Sequence, residues 1–431
     1  MTPTVESVSA PTRTKQEAAA IAVWMTLIGV AALWGQLLVN SDPRVKLPAA
    51  PLFGRFELTI DARLFLPVAV GAGVLWLMPR AALKSRRYVL WSCVAAVVWA
   101  LALGFASRRG LSGALGTRAD YLSAVPAMPS PADFLRTFTN SIADYPLHVE
   151  GHPPGFPLVL WVMSKLGMPG VGWATALIVL AGASIPGAVL LVLREVSGGD
   201  AARRAAPFVA LAPAAIWIVS SGDAVFAAAG AWATALLVLS ARRRDRVGDL
   251  LGFGGGLVAG AGLYVSYGLA PLMVLPVVLA VYLRARRSLA LMAAGVAVVA
   301  ATFTLLGFWW FEGLAASRVR YLLGVSQFRP YSYSLVGNLA ALAIAAGPAV
   351  AVGLAALRKR STWLILGPVL AAVMMANLSG LSKGEVERIW LPFAVWLPVA
   401  GSAIAGARRR PWLAAQAVWA IAIQVFVVEP W

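Results

Sequence analysis

Apolar runs of about 20 residues, separated by short polar connections, recur along almost the whole chain. A run of that length, folded as a helix, crosses about 30 Å of hydrocarbon. Inside a bilayer a helix also satisfies its own backbone hydrogen bonds. The pattern therefore predicts an all-α polytopic membrane protein with about thirteen transmembrane helices, at 20–39, 64–79, 88–106, 173–193, 207–220, 222–241, 250–267, 268–283, 288–310, 335–357, 362–379, 390–406 and 412–428.

Composition supports a membrane protein and argues against nucleic-acid binding. Of the 431 residues, 60% are hydrophobic and 13% are charged, whereas soluble domains carry roughly 25% charged residues. The net charge of +18 lies in short clusters between spans, where basic residues orient a membrane protein. A single cysteine, Cys93, excludes an internal disulfide and a Cys-x-x-Cys metal site. No cofactor is predicted, and the sequence does not exclude a requirement for a divalent metal.

The basic clusters set the predicted orientation, because cytoplasmic connections are enriched in Lys and Arg. The run 156–166 is too short to cross the membrane and is predicted to lie in the interface. Counting it as a span would break the alternation of basic connections. We therefore expect a plasma-membrane protein with a cytoplasmic N-terminus and an extracytoplasmic C-terminus. The clusters on the cytoplasmic side are Arg13 and Lys15; Arg80, Lys84, Arg86 and Arg87; Arg194, Arg203 and Arg204; Arg242, Arg243, Arg244 and Arg246; Arg284, Arg286 and Arg287; Arg358, Lys359 and Arg360; and Arg408, Arg409 and Arg410.

This orientation divides the chain into four parts. A cytoplasmic tail, 1–19, precedes three spans in 20–106. An extracytoplasmic loop with an interfacial helix follows at 107–172, here named the large loop. The bundle 173–431 carries two further external loops, at 311–334 and 380–389, and the latter is here named the late loop. The large loop holds both histidines of the chain, His148 and His152, so it is the likeliest wall of an active site.

Asp120 follows the third predicted span closely, so it is expected near the outer membrane face. A carboxylate there could act as a general base on an incoming hydroxyl. The same residue could instead cap a helix that starts near Tyr121. The sequence leaves both interpretations open.

The segment His152-Pro153-Pro154-Gly155 directly precedes the short apolar run. Consecutive prolines fix an extended backbone, and we expect Pro154 or Gly155 to release it into a helix beginning near Phe156. His152 would then be held at the interface, where it could bond a phosphate or a sugar. A rigid start to the helix explains the motif equally well.

Two external loops carry cations. The late loop combines Lys383, Glu385, Glu387 and Arg388 within a few residues, and the loop 311–334 contains Arg318, Arg320, Tyr321 and Arg329. The Arg and Lys side chains of the two loops could hold a phosphate at the outer surface. The alternatives are a solvated turn in the late loop and lipid headgroup contacts beside an aromatic belt in the other.

Taken together, Asp120 early in the large loop, the HPPG motif before a short apolar helix, and a helical hairpin closed by Ser221-Gly222-Asp223 resemble the GT-C glycosyltransferases. The resemblance covers roughly residues 88–410. It is nearest to the protein O-mannosyltransferase and aminoarabinose-transferase branch, in which an acidic motif opens the first large external loop and HPPL or KPPL leads into its interfacial helix. Here Tyr121 follows Asp120 where the family often has a second acid, and the loop follows the third span rather than the first. The Arg, Ala, Gly and Trp bias resembles actinobacterial proteins, for which lipid-linked mannose and arabinose are common donors.

The resemblance implies an inverting transfer of a sugar, mannosyl- or arabinosyl-like, from a polyprenyl-phosphate donor to a glycan, lipid or protein acceptor on the extracytoplasmic face. Asp120 would be the catalytic base. Residues expected to bind donor or acceptor are Tyr121, Glu150, His152, Arg318, Arg320, Lys383, Glu387 and Arg388. For Arg388 the expectation is specific, since replacing a phosphate ligand should weaken donor use far more than it lowers stability.

Two other functions fit the same composition. A flippase or transporter for a lipid-linked substrate would use similar phosphate contacts without catalysis. Such proteins usually carry charged residues within their spans, and none of the predicted spans has one near its middle. A catalytically inactive scaffold for envelope enzymes is the second alternative.

Overall fold

The computed structural model describes residues 10–84, 87–111, 113, 115–128, 130–404 and 406–428. Within them the fold is helical apart from one short ribbon. The first ten α-helices are α1 Ala10–Ser41, α2 Phe65–Lys84, α3 Tyr88–Ala106, α4 Pro131–Thr137, α5 Leu147–Glu150, α6 Gly155–Lys165, α7 Val171–Ser197, α8 Gly199–Ala210, α9 Ala215–Ile218 and α10 Asp223–Ala241. The others are α11 Arg246–Val265, α12 Val274–Tyr282, α13 Arg286–Leu305, α14 Trp310–Leu323, α15 Tyr331–Ala346, α16 Pro348–Ala356, α17 Arg360–Leu378, α18 Val386–Ile389, α19 Leu391–Ala394 and α20 Arg409–Phe426. The ribbon pairs β1 Arg55–Phe56 with β2 Val427–Val428 in antiparallel register.

Seven of these helices are long and apolar enough to cross a membrane: α1, α3, α7, α10, α11, α13 and α17. The pair α15 and α16 passes the same test as one unit that is bent by 94°. The prediction of an all-α, multi-pass membrane protein is confirmed at this level. The count of thirteen crossings is not confirmed, because the other five predicted spans do not pass this test within the described residues.

Three predicted spans, 207–220, 268–283 and 390–406, do not form one continuous helix. The first is split between α8 and α9, the second begins with short 3-10 turns before α12, and the third consists of α19 and a 3-10 segment, Leu397–Ala403. Each contains prolines, which remove an amide donor and clash with the preceding turn of a helix. Hydrophobicity alone gave no sign of these breaks.

The segment 1–19, predicted to be a cytoplasmic tail, is partly helical. Helix α1 begins at Ala10, so the second half of that segment is helical. Lys15, Gln16 and Glu17 followed by alanines are good helix formers, and they extend the spanning helix beyond its apolar part. Residues 1–9 lie outside the described residues.

The bend between α15 and α16 is stabilised by a buried side chain from the C-terminal helix. Gly347 has φ 83°, a left-handed conformation that favours glycine, and it ends the first helix. The Gln416 amide on α20 donates to the Ala346 carbonyl at 2.7 Å, and its oxygen accepts from the Ala349 amide at 3.0 Å. Gln416 thus satisfies two backbone groups that the break removes from helical hydrogen bonding.

Helices α11 and α13 pack with their backbones in near contact. A Cβ added to Gly256 would lie 2.1 Å from the Met292 carbonyl oxygen, and one added to Gly295 would lie 2.4 Å from that of Phe253. Small residues permit this approach in membrane helices, where packing rather than the hydrophobic effect drives association. The close pair forms a firm support for α6, which contacts α11.

The large loop is built from short helical pieces that pack onto the bundle. Its order is a 3-10 helix, Tyr121–Ala127, then α4, a 3-10 turn Ile142–Asp144, α5 and α6. Gly155 opens α6 so close to α11 that an added Cβ would lie 2.3 Å from the Tyr264 carbonyl oxygen. This contact fixes the start of α6, and with it the position of the residues just before it.

Candidate active site

Asp120 lies at the start of the 3-10 helix and is held by a histidine. Its carboxylate accepts from the Leu122 amide at 3.4 Å, so it does cap this helix, as one of the two interpretations predicted. The other carboxylate oxygen is 3.1 Å from His148 Nδ1, and the His148 amide donates to the Ala119 carbonyl at 3.0 Å. The residue is only 3% exposed. Asp120 and His148 therefore form a carboxylate–imidazole pair shielded from bulk solvent.

Tyr121 directs an aromatic ring into the same cluster. Its ring centroid lies 5.6 Å from that of His148, 5.5 Å from that of His152 and 5.0 Å from that of Phe156. The phenol oxygen is buried and has no hydrogen-bond partner among the described residues. Burial, and next the negative charge of Asp223, raise the pKa of Tyr121 well above its ordinary value. It is therefore a neutral donor that an incoming oxygen could satisfy.

His152 is fixed by the turn between α5 and α6. Its Nδ1–H donates to the His148 carbonyl at 2.9 Å, and its ring lies 5.6 Å from that of Phe226 on α10. Burial lowers the pKa of His152 to about 4, because the charged form loses solvation. At neutral pH the imidazole is uncharged, so it can orient a polar group but cannot neutralise a phosphate.

A second buried pair lies at the start of α10. Arg388 donates to Asp223 Oδ2 at 2.6 Å and to Glu385 Oε2 at 2.9 Å, and Ser221 donates to the same Asp223 oxygen. Arg388 is 3% exposed and Asp223 is 2% exposed. Burial would lower the pKa of Arg388, but the carboxylates of Asp223 and Glu385 raise it above its ordinary value. Arg388 was predicted to be an accessible phosphate ligand. In the structure it is a buried cation with two carboxylate partners.

The two pairs share one electrostatic environment. The charges of Asp223 and Arg388 both act on Tyr121 and on His152, and Asp120 also acts on Tyr121. Tyr121 and His152, both in the large loop, therefore experience charges from the start of α10 and from the late loop. Four of these five residues were predicted from the sequence as site residues, and only Asp223 was given no role.

Glu387 joins the late loop to the connection between α1 and α2. Its Oε1 accepts from the Phe53 amide at 2.9 Å, and its Oε2 is buried without a partner among the described residues. Burial raises the pKa of Glu387 to about 7. The contact is with the protein backbone, and this part of the late loop is not the solvated turn that its charge density suggested.

Arg329 and Lys383 complete the anchoring of the late loop. Arg329 donates to the Lys383 carbonyl at 2.8 Å and to the Val45 carbonyl at 3.0 Å, and burial lowers its pKa. The Lys383 amide donates to the Tyr321 hydroxyl at 2.6 Å. The Lys383 ammonium lies 3.4 Å from the Ser326 carbonyl and is half-buried. Arg329 is therefore a structural cation, whereas the Lys383 ammonium meets no carboxylate among the described residues.

The two arginines of α14 differ in their surroundings. Arg320 Nε donates to Glu150 Oε2 at 2.7 Å, which ties α14 to α5, the helix that carries His148. Arg318 is exposed and forms no ion pair within the described part of the chain. The four cations predicted to hold the phosphate therefore have different surroundings. Arg320 and Arg388 pair with different carboxylates, Lys383 contacts a backbone carbonyl, and Arg318 is exposed.

The members that the sequence did not identify are His148, Asp223 and Glu385. His148 lies two residues from Glu150 in the same loop, but nothing in the sequence showed that its ring meets Asp120. Asp223 and Glu385 were visible only as charges near turns. Their pairing with Arg388 links segments 165 residues apart in the case of Asp223, and a single sequence carries no signal for such a contact.

Comparison of the chain with models of protein families, with curated proteins and with solved structures found no match. The similarity to the GT-C glycosyltransferases rests on the motifs quoted above, and it stays a prediction.

Proposed function

We propose that this chain is a membrane glycosyltransferase that moves a sugar from a polyprenyl-phosphate donor to a hydroxyl acceptor on the extracytoplasmic face, with inversion. The observation that carries the proposal is the Asp120–His148 pair. A carboxylate oriented by an imidazole is suited to take a proton from a hydroxyl. Its burial keeps bulk water from competing as the nucleophile.

In the proposed reaction the acceptor oxygen attacks the anomeric carbon and its proton passes to Asp120. The bond between that carbon and the phosphate oxygen breaks, and polyprenyl phosphate leaves with the electron pair. Tyr121 supplies a hydrogen bond to sugar or acceptor through its unpaired phenol, and His152 orients the same group as a neutral imidazole. The sugar is mannosyl- or arabinosyl-like by the family resemblance, and the acceptor is a glycan, lipid or protein.

Arg318 and Lys383 are the cations that we assign to the leaving phosphate, whose developing charge they would stabilise. Neither forms an ion pair with a carboxylate in the described residues, in contrast to Arg320 and Arg388. Both are connected to the site through their neighbours in sequence. Arg320 donates to Glu150, which lies two residues from His148, and Arg388 donates to Glu385.

The proposal includes an orientation and a span count. The seven long helices, the bent pair and the five shorter predicted segments would make thirteen crossings, with the N-terminus cytoplasmic and the large loop outside. Single cysteines at positions 243 and 133 in a Cys93→Ala background test this in intact cells with an impermeant thiol reagent. We expect labelling at 133 only. Labelling at 243 without labelling at 133 would reverse the arrangement.

Transfer itself is tested with membranes that contain the full-length protein and a panel of radiolabelled polyprenyl-phosphate sugars. We expect Asp120→Asn to lower turnover about 10²–10⁴-fold, which is typical for the loss of a general base. Asp133→Asn is the matched control, because Asp133 lies in the same loop and is exposed beside Arg136.

Asn retains an acceptor for the Leu122 amide, and unfolding of both variants is measured so that a folding defect is recognised. Normal turnover in Asp120→Asn would remove this residue from the mechanism. Movement of lipid-linked sugar across vesicles without transfer would instead favour the flippase alternative.

A further inference from the structure

Half-buried arginines lie at the end of the bundle that is predicted to be cytoplasmic, and most of them pair with a carboxylate. The pairs are Arg194 with Glu195, Arg203 with Asp200, and Arg408 with Glu17. Arg204 and Arg409 differ. Among the basic residues of the predicted cytoplasmic clusters whose burial the structure describes, these two alone are half-buried without a carboxylate partner. Their charge is therefore not balanced within the described part of the chain.

Arg204 and Arg409 come from helices that pack together. Arg204 lies on α8, and its Nε donates to the Ser402 carbonyl at 2.9 Å, in the 3-10 segment Leu397–Ala403. This bond uses one of the five N–H groups of a guanidinium. Arg409 is the first residue of α20, which contacts α8. The junction of these two helices therefore presents two guanidinium groups.

The two charges act on each other. Arg409 Nε is buried and has no hydrogen-bond partner among the described residues. Burial, and next the positive charge of Arg204, lower the pKa of Arg409. An arginine still stays charged at neutral pH, and two like charges in a partly dehydrated place repel each other more than they do in water. An anion bound by both groups would relieve this repulsion, and a phosphate fits because its oxygens match the planar donors of a guanidinium.

The setting favours a phosphate that is carried by a lipid. Helix α2 contacts both α8 and α20, and its Trp76 and Leu77 are exposed within the predicted span 64–79. Exposed apolar side chains on a spanning helix match the lipid tails around them. The cytoplasmic leaflet of a membrane also contains anionic lipids, and basic pockets between helices on that side bind their head groups.

We propose that Arg204 and Arg409 form a binding site for the phosphate of an anionic phospholipid, whose acyl chains lie beside α2. The lipid would join α8 to the start of α20 and would supply the counter-charge that neighbouring arginines receive from Glu17, Glu195 and Asp200. This site lies at the opposite predicted face from Asp120, so it does not depend on the proposed transfer of a sugar.

The experiment uses the full-length protein in phosphatidylcholine nanodiscs to which phosphatidylglycerol is added in steps. Native mass spectrometry counts the phosphatidylglycerol molecules that the released protein retains, and thermal unfolding is followed by tryptophan fluorescence. We expect one retained phosphatidylglycerol that inorganic phosphate does not displace. We also expect unfolding to move to higher temperature as this lipid is added, because a ligand that binds the folded state stabilises it.

Three variants locate the site. Arg204→Gln and Arg409→Gln should each lower the affinity for phosphatidylglycerol about tenfold, the factor expected for the loss of a charge-assisted hydrogen bond. Arg410→Gln is the matched control, because Arg410 is the next residue, is exposed and has no ion pair among the described residues. It removes the same charge and should change the affinity only about twofold, since contacts between exposed charges are weak.

Arg409→Gln also separates a binding role from a structural one. Without phosphatidylglycerol it should unfold at the same temperature as the wild type or higher, because it removes a repulsion, and the lipid should then add little stability. Unfolding below the wild type without the lipid, together with an unchanged gain when the lipid is added, would refute the site.

Two other results would overturn the inference. Equal loss of affinity in all three variants would indicate a general attraction of anionic lipid to a basic surface. Displacement of phosphatidylglycerol by inorganic phosphate would show that the two arginines serve a soluble phosphate and not a lipid.

Discussion

Replacement of Arg388 by alanine tests whether this residue of the late loop is exposed to solvent or is part of the protein core. The structure places its guanidinium between Asp223 and Glu385 with almost no solvent contact. Removing one partner from a buried ion pair leaves the other charge uncompensated and typically costs about 3–5 kcal/mol. An exposed charge usually changes the free energy of unfolding by less than about 0.5 kcal/mol. We therefore expect Arg388→Ala to be strongly destabilised, contrary to the sequence-based expectation of a loss confined to donor use.

The measurement is the unfolding of purified protein in detergent, followed by tryptophan fluorescence as denaturant is added. Arg318→Ala is the matched control, since it also removes an arginine from a loop that is predicted to be external, but it breaks no ion pair among the described residues. We expect the control to unfold close to the wild type.

A double variant identifies the cause of the loss. Asp223→Asn removes the charge that Arg388 compensates, so the combination of Asp223→Asn with Arg388→Met should be less destabilised than the sum of the two single variants. If Arg388→Ala unfolds within about 0.5 kcal/mol of the wild type, as Arg318→Ala should, the reasoning from burial is refuted. Arg388 would then return to the list of phosphate ligands.

Two further predictions follow from the packing of the loops. Burial raises the pKa of Glu387 from an ordinary 4.5 to about 7, so the folded state holds a proton that the unfolded state releases, and stability should fall as pH rises from about 4.5 to about 7. Glu387→Gln cannot ionise, so it should gain stability relative to the wild type between pH 5 and pH 8; an identical pH profile for both proteins would show that this carboxyl does not titrate in that window. Gly155→Ala should cost about 1–3 kcal/mol and lower transfer, because the new Cβ would push α6 away from the Tyr264 carbonyl. Gly172→Ala, which has open space around its Cβ, is the control, and equal unfolding curves for the two glycine variants would contradict the close contact.

The sequence predicted what depends on local patterns. Apolar runs located the long helices, and the short run after His152 became α6, Gly155–Lys165. The cap that Asp120 provides was among the stated alternatives, because a side-chain oxygen before a helix start is a local signal. These features need no information from distant parts of the chain.

The sequence could not predict which charges are buried. Glu387 and Arg388 are adjacent, yet one accepts from an amide 334 residues away and the other meets a carboxylate 165 residues away. A charge-rich turn ordinarily faces solvent, and only the folded arrangement shows that this one does not. The prolines in 207–220, 268–283 and 390–406 did carry a local signal, but the continuous hydrophobicity of those runs outweighed it in the interpretation.

The bridge from Gln416 to the bend at Gly347 has a consequence for how the chain is made. A ribosome delivers Ala346 and Ala349 to the membrane well before it delivers α20, because domains emerge from the N-terminal side first. Until α20 arrives, the carbonyl of one and the amide of the other lack the partner that Gln416 provides. Unpaired backbone groups are costly in hydrocarbon. The bend therefore gains these two hydrogen bonds only after α20 has been made, so a chain truncated before α20 should be recognised by quality control as incomplete.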